Sequence, residues 1–266
     1  MNMIDTHTHL YVDAFDEDRK EAVERAMALG IYRFYLPAID FETTDRMFAL
    51  EKQFPNQMRL MMGLHPTHVA ADYKKALDHV EEWLFQRPFA AVGEIGIDLY
   101  WEQKYMSQQI EVFSKQIEWA KTLNLPIVIH CREAFDEIFK VLDQYNDEKL
   151  FGIFHCFTGS QQQALTAIDY GFKLGIGGVV TFKNGKIDRF LDQIPLSEIV
   201  LETDAPYLAP TPYRGKRNES AYLDLVAEKV AACYGISKKE LAAQTTENAL
   251  SIFQEYDPLI LKETNR

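Results

Sequence analysis

No apolar run of the roughly 18 residues needed to cross a bilayer occurs in the 266-residue sequence, so no transmembrane helix is expected. Cysteine is scarce. Three are present, Cys131, Cys156 and Cys233, an odd number with no Cys-x-x-Cys pair. That excludes a disulfide scaffold and points to free thiols in a reducing cytoplasm. The start lacks a basic stretch followed by an apolar core, so no signal peptide is expected and the expected location is cytoplasmic. Positive charge is in deficit: 28 basic against 40 acidic residues leave a net charge of −12. Such a chain does not coat nucleic acid through bulk electrostatics, although an enzyme can still take a phosphate chain at a local positive site. Ser/Gly linkers, low-complexity tracts, long charge blocks and fixed-pattern repeats are also missing, so residues 1–266 are expected to form one domain. A Gly-rich turn after the first strand is lacking, which argues against an open nucleotide-binding sheet.

What is present is a regular alternation. Eight strand-like runs stand at Met3 to Thr6, Tyr32 to Pro37, Arg59 to Leu64, Ala90 to Ile95, Ile127 to His130, Gly152 to His155, Phe172 to Ile176, and Ile199 to Thr203. Several are almost continuously apolar, as parallel strands buried on both faces require. The segments between them are long enough for crossover helices. Ile110, Phe113, Ile117 and Ala120 recur at three- and four-residue steps and form a helical stripe. Ser237-Lys238-Lys239-Glu240 has the form of a capping box. Gly30 and Gly235 stand where helices would end. Strand and helix alternating eight times predict an α/β fold of the (β/α)8 TIM-barrel type, with its active site at the C-terminal ends of the strands.

Those ends carry metal-competent side chains. The first is followed by His7 and His9, two positions apart and so expected on one face. The third leads to His65, the fourth carries Glu94 and Asp98, the fifth His130, the sixth His155, and the eighth Glu202 and Asp204. Five of the seven histidines fall there. A mixed imidazole and carboxylate set suits Zn²⁺ or another first-row divalent ion better than Ca²⁺. Six ligands exceed what one open tetrahedral zinc uses, but fit two ions bridged by a carboxylate, an arrangement that clamps both oxygens of a displacement. Two divalent ions outweigh the charges of Glu94 and Asp204, so the inner shell favours an anionic substrate such as a phosphodiester.

The segments DTHTHL, GLHP, VGEIGIDLY, PIVIHCRE, HCFTGS, LETDAPYLAP, RGKRNE and TTENA together resemble the TatD family of metal-dependent hydrolases, within the amidohydrolase-like barrels, along essentially the whole chain. The resemblance implies that His7 and His9 bind one metal with Asp204, that His130 and His155 bind a second, and that Glu94 bridges. The two divalent ions would be Zn, Mg or Mn. It also implies hydrolysis of a nucleic-acid strand, commonly 3′→5′ exonuclease action on single-stranded DNA or RNA. Ser220 stands where many relatives carry proline, and Cys131 where serine is commoner. Neither position is a ligand.

Asp204, Glu202 and His65 are the expected catalytic residues: Asp204 manages the proton, Glu202 either assists it by orienting the attacking water or stands behind a ligand, and His65 acts in catalysis or substrate binding. Arg132 and the basic loop carrying Arg214, Lys216 and Arg217 are the expected substrate contacts. Asp5 is expected to fill the barrel interior, Asp98 to order the loop after the fourth strand, and His79 to be a solvated surface residue. Cys131 and Cys156 are expected to point away from the site, into the layer between barrel and helices. The nearest rival is an amidase, dipeptidase or lactonase on the same fold. Such barrels commonly use a carboxylated lysine as bridge, and none lies near Glu94. Ester hydrolysis on an aminoacylated RNA is a further alternative.

Overall fold

The computed structural model describes residues 2–101 and 103–255. Eight parallel strands form one sheet in chain order: β1 Met3–Asp5, β2 Ile31–Pro37, β3 Met58–Met62, β4 Ala91–Asp98, β5 Ile127–Arg132, β6 Gly152–Phe154, β7 Phe172–Ile176 and β8 Ile199–Leu201. The amide and hydroxyl of Thr6 both donate to the carbonyl of Leu201, at 3.1 and 3.0 Å, and the amide of Asp204 donates to the carbonyl of His7 at 2.9 Å. These bonds bring the last strand to the first and nearly close a barrel.

Six helices cross between successive strands: α1 Arg19–Ala28, α2 Thr44–Gln53, α3 Lys74–Gln86, α4 Met106–Leu123, α5 Phe135–Tyr145 and α6 Gln161–Asp169. The expected alternation fails once. Between β7 and β8 the chain makes only short 3-10 turns, and two helices, α7 Leu223–Tyr234 and α8 Lys238–Ile252, follow β8 instead. The apolar stripe falls on α4, which buries Phe113, Ile117 and Ala120. The capping box opens α8: the Ser237 hydroxyl accepts from the Glu240 amide, and the Glu240 carboxylate accepts from the Ser237 amide. Gly235 closes α7 in the left-handed region at φ 65°, where a β-carbon would be strained.

The barrel interior is layered. Ile4, Tyr35, Met61, Ala91, Val128, Ile153 and Val200 form an apolar floor, covered from below by the end of α8, where Phe253 stacks on Tyr35 at 3.6 Å. One pleat higher the same face turns polar. Val128 is followed two residues on by His130, Ile153 by His155, and Val200 by Glu202, the spacing that keeps side chains on one face of a strand. Strand β4 needs three steps, from Ala91 to Glu94, because its register against β5 shifts between Gly93 and Ile95. Such a bulge re-aims a side chain, and here it turns Glu94 into the barrel. A larger apolar cluster fills the space between barrel and helices. Among the described residues no helix is long and apolar enough to cross a membrane.

Candidate metal centre

Six strand-end histidines and carboxylates converge at the top of the barrel, with Glu94 at their middle. Its two oxygens face different partners. Oε2 lies 3.1 Å from His7 Nε2 and 3.7 Å from His9 Nε2. Oε1 lies 2.7 Å from His155 Nε2, 2.9 Å from His130 Nδ1 and 3.2 Å from His65 Nε2. Asp204 closes the first side, with Oδ1 at 3.4 Å from His9 Nε2 and 3.8 Å from His7 Nε2. His7 and His9 lie just beyond the end of β1, yet both reach the same two carboxylates. Three sets have donor atoms mutually within 4.8 Å and could hold a cation: His7, His9 and Glu94; His7, His155 and Asp204; His65, Glu94 and His130.

The tautomers are set by outer partners. The Tyr11 hydroxyl donates to the Pro37 carbonyl and so accepts from His9 Nδ1 at 3.1 Å, which leaves Nε2 of His9 bare toward Asp204. Asp98 Oδ2 accepts from His130 Nε2 at 2.8 Å, which turns the lone pair of Nδ1 inward. His155 has Glu202 behind it, with Nδ1 at 3.6 Å from Oε1, and presents Nε2 to Glu94. His65 differs. Its Nδ1 accepts from the Thr67 amide at 3.2 Å, so the proton sits on Nε2 and points at Glu94. In that tautomer His65 donates a hydrogen bond rather than a ligand lone pair.

The charge states fit a cation site. Burial and the neighbouring His155 push His7 down, and burial pushes His65 down to about 4 despite the pull of Glu94. Burial opposes the Glu94 charge, yet His155, His65 and His7 hold its carboxyl well below the usual range. Asp204 is lowered in the same way, with burial overcome by His9, His155 and His7. Burial disfavours charge on His130 and His155 too, but Asp98 and Glu94 raise the first, and Glu94 with Glu202 raises the second well above its ordinary value. Buried carboxylates ringed by imidazole nitrogens, some only 3.3 to 3.5 Å from one another, form a donor set whose lone pairs a divalent ion would satisfy. The residues present therefore fit the metals implied by the sequence.

The geometry sorts the other expected residues. Glu202 is fully buried and does not line the cavity. Its Oε1 accepts from the Cys156 amide, and Oε2 packs so tightly on β7 that a Cβ at Gly175 would lie 2.1 Å away. Of the two expected roles for Glu202, at the attacking water or behind a ligand, its position matches the second: it stands behind His155, 3.6 Å from Nδ1. Asp204 parts from it because its backbone turns into the left-handed region at φ 57°, ending the strand alternation. Asp5 holds the end of β1 to the end of β8, accepting from the amide and hydroxyl of Thr203 at 2.9 and 2.7 Å. Asp98 does two things, since Oδ1 accepts from the amides of Tyr100 and Trp101 while Oδ2 holds His130. Cys131 packs into the apolar cluster between barrel and helices, as expected, and borders the cavity as well, whereas Cys156 lines the cavity, contrary to expectation. For Cys156 the cause is its left-handed backbone, φ 44°, which breaks the alternation. His79 is not simply solvated: its Nε2 meets the Thr44 hydroxyl at 3.1 Å between α3 and α2.

The cavity above the centre measures about 570 Å³ and is lined by no lysine among the described residues. Of the four basic residues expected to meet substrate, Arg132 lines it and the other three do not. Arg217 forms a bidentate pair with Asp18 at 2.6 and 2.9 Å, away from the cavity lining. Arg214 is exposed and stacks on Phe182 at 3.6 Å. Lys216 is exposed on the same loop. Two residues that the sequence reading passed over hold this region. Asn218 Nδ2 donates to the carbonyls of Thr203 and Tyr207, both at 2.7 Å, pinning the loop that carries Asp204. Tyr11 fixes His9, as described.

The family model described as TatD related DNase matches residues 4–254. The uncharacterized metal-dependent hydrolase YabD of Bacillus subtilis is 36% identical over 253 residues, covering 95% of this chain and 99% of the relative. The 3′-5′ ssDNA/RNA exonuclease TatD of Salmonella typhimurium is 32% identical over 259 residues, covering 95% of this chain and 99% of the relative. Among solved structures, the TatD homologue YjjV of Escherichia coli superposes with a TM-score of 0.90 at 28% identity, covering 96% of this chain and 98% of that one.

Proposed function

Because the chain belongs to the TatD family of metal-dependent hydrolases, we propose that it is a two-metal phosphodiesterase cleaving single-stranded DNA or RNA as a 3′→5′ exonuclease. One observation carries the two-metal reading: the two oxygens of Glu94 face separate histidine sets, His7 and His9 on one side, His130 and His155 on the other. His7, His9 and Asp204 would hold one divalent ion, His130 and His155 the other, and Glu94 both. The mixed nitrogen and oxygen donors accept Zn²⁺ or Mn²⁺, and Mg²⁺ through the carboxylates. The substrate class is supported by the activity named for the Salmonella relative and by a cavity that no lysine lines among the described residues.

When bound, the ions supply Lewis acidity, polarising a phosphoryl oxygen and making water a better nucleophile. The side chains do the rest. Asp204, ionised and lining the cavity, accepts the proton of the attacking water. His65, neutral with its proton on Nε2 and lining the cavity, is placed to shift that hydrogen bond from Glu94 to a non-bridging phosphate oxygen. Asp98 and Tyr11 hold His130 and His9 in the tautomers that ligate, and the Glu202 carboxylate stands behind His155.

The test is metal-supplemented protein assayed on end-labelled single-stranded DNA, RNA and duplex, beside a panel of small amides, lactones and carboxylic esters. Strand cleavage from the 3′ end that a chelator abolishes is expected. Efficient amide or lactone hydrolysis with intact nucleic acid under every metal would overturn the proposal.

A further inference from the structure

Aromatic rings and one arginine gather on a single lip of the cavity, formed by the loop after β4 and the end of β5. Trp101 is 68% exposed and Tyr100 49% exposed. The Arg132 guanidinium lies 3.7 Å from the Tyr100 ring centre and 5.3 Å from that of Trp101. Trp101 and Arg132 both line the cavity. Among the described residues no carboxylate pairs with Arg132, so its donors stay available beside the site.

This lip is fixed to the metal centre. Asp98 accepts from the Tyr100 and Trp101 amides at 3.0 and 3.1 Å through one oxygen, and holds His130 at 2.8 Å through the other. Arg132 is two residues after His130 on β5, hence on the same face of the strand. Across the cavity Tyr207, 51% exposed, stands edge-on to His9 at 5.8 Å. Its amide donates to the Asp204 carbonyl at 2.8 Å. Exposed rings thus flank the opening at positions locked to the proposed ligands.

We propose that the Trp101 lip is a nucleobase seat, in which the base of a nucleotide adjoining the scissile phosphate stacks on the indole while Arg132 meets a flanking phosphate. The proposal rests on the nuclease reading above and deepens it by naming what selects the strand. A base can lie on Trp101 only when unpaired and unstacked, so the seat admits single strands and rejects a closed duplex. Every base has a π-face, so stacking tolerates any sequence. The guanidinium stacked on Tyr100 keeps a cation at the lip of an otherwise acidic chain.

The experiment is a cycle between protein and strand. Mn²⁺-loaded protein, wild type and Trp101→Ala, is titrated with hydrolysis-resistant phosphorothioate oligonucleotides, each intact or made abasic at one of the last three nucleotides. Stacking of one base corresponds to roughly a 5- to 150-fold change in Kd. At one position the abasic strand should bind wild type more weakly by that factor. Trp101→Ala should lose the same factor on the intact strand and nothing further on the abasic one, and Trp101→Phe should restore most of it. Wild-type tryptophan fluorescence should be quenched by the intact strand and not by that abasic one. Trp119 is only 4% exposed and Trp83 packs on Phe48, so the quenching reads Trp101. Independent losses that add, or no loss, on a strand the enzyme does cleave would overturn the seat alone. Failure of wild type to bind or cleave any strand would overturn the nuclease reading, and the seat with it.

Discussion

At the scale of single residues, the centre depends on groups that never touch substrate. Glu202 and Gly175 are a matched pair. The carboxylate fits against β7 because Gly175 has no side chain, and any Cβ there would meet Oε2 at 2.1 Å. Outer carboxylates of this kind orient an imidazole and raise its basicity, and losing one commonly costs about 10- to 100-fold in metal affinity. Glu202→Gln keeps the volume but removes the charge behind His155. It should weaken Zn²⁺ binding by about that factor in calorimetric titration, with an unchanged circular dichroism spectrum. Gly175→Ala should reproduce the loss by pushing Glu202 off its seat. Wild-type affinity in both variants would show that His155 needs no orienting partner.

At the scale of elements, the loop between β8 and α7 is anchored rather than presented. Arg217 and Arg25 both pair with Asp18, and Arg25 also pairs with Glu219 at 2.6 Å, tying this loop to the start of α1. These hydrogen bonds to Arg217 and Arg25 hold the Asp18 carboxyl well below the usual carboxylate range, against the opposing effect of burial. A carboxylate depressed in the folded state stabilises above its unfolded pKa, near 4, and that contribution fades as pH falls toward the folded value. The groups are partly exposed, so each pair contributes modestly. Asp18→Asn should cost about 1 kcal/mol at neutral pH by urea denaturation, with the gap to wild type closing progressively below about pH 4. A gap that stays constant down to pH 2 would show that packing, not charge, carries the effect. The sequence shows the basic cluster of this loop plainly, but not its partners, because Asp18 and Arg217 are paired across 199 positions of chain.

At the scale of the whole molecule, the eight strands were legible because parallel strands buried on both faces leave unbroken apolar runs, and each observed strand lies within a few residues of its expected place. The convergence of His7, His9, Glu94, His130, His155 and Asp204 was legible for a related reason: a barrel gathers the C-terminal ends of all its strands at one face. The rest lay outside local pattern. Nothing in the sequence marks the missing helix between β7 and β8, the register shift that turns Glu94 inward, or the left-handed backbone that brings Cys156 to the cavity. Each depends on contacts between strands distant in sequence. Alternation did place Glu202 inside the barrel, but depth within the barrel decides whether a side chain meets substrate or stands behind a ligand.

The central claim is that one carboxylate joins two metal positions, and metal stoichiometry tests it most directly. Wild-type chain and Glu94→Gln would be dialysed against increasing Mn²⁺ and the bound metal counted, with circular dichroism confirming that both are folded. The account predicts two ions per wild-type chain at saturation, and for Glu94→Gln weakened binding at both positions, because both oxygens of Glu94 face histidines proposed as ligands. A single ion in the saturated wild type, or two ions bound equally well without the Glu94 charge, would contradict it.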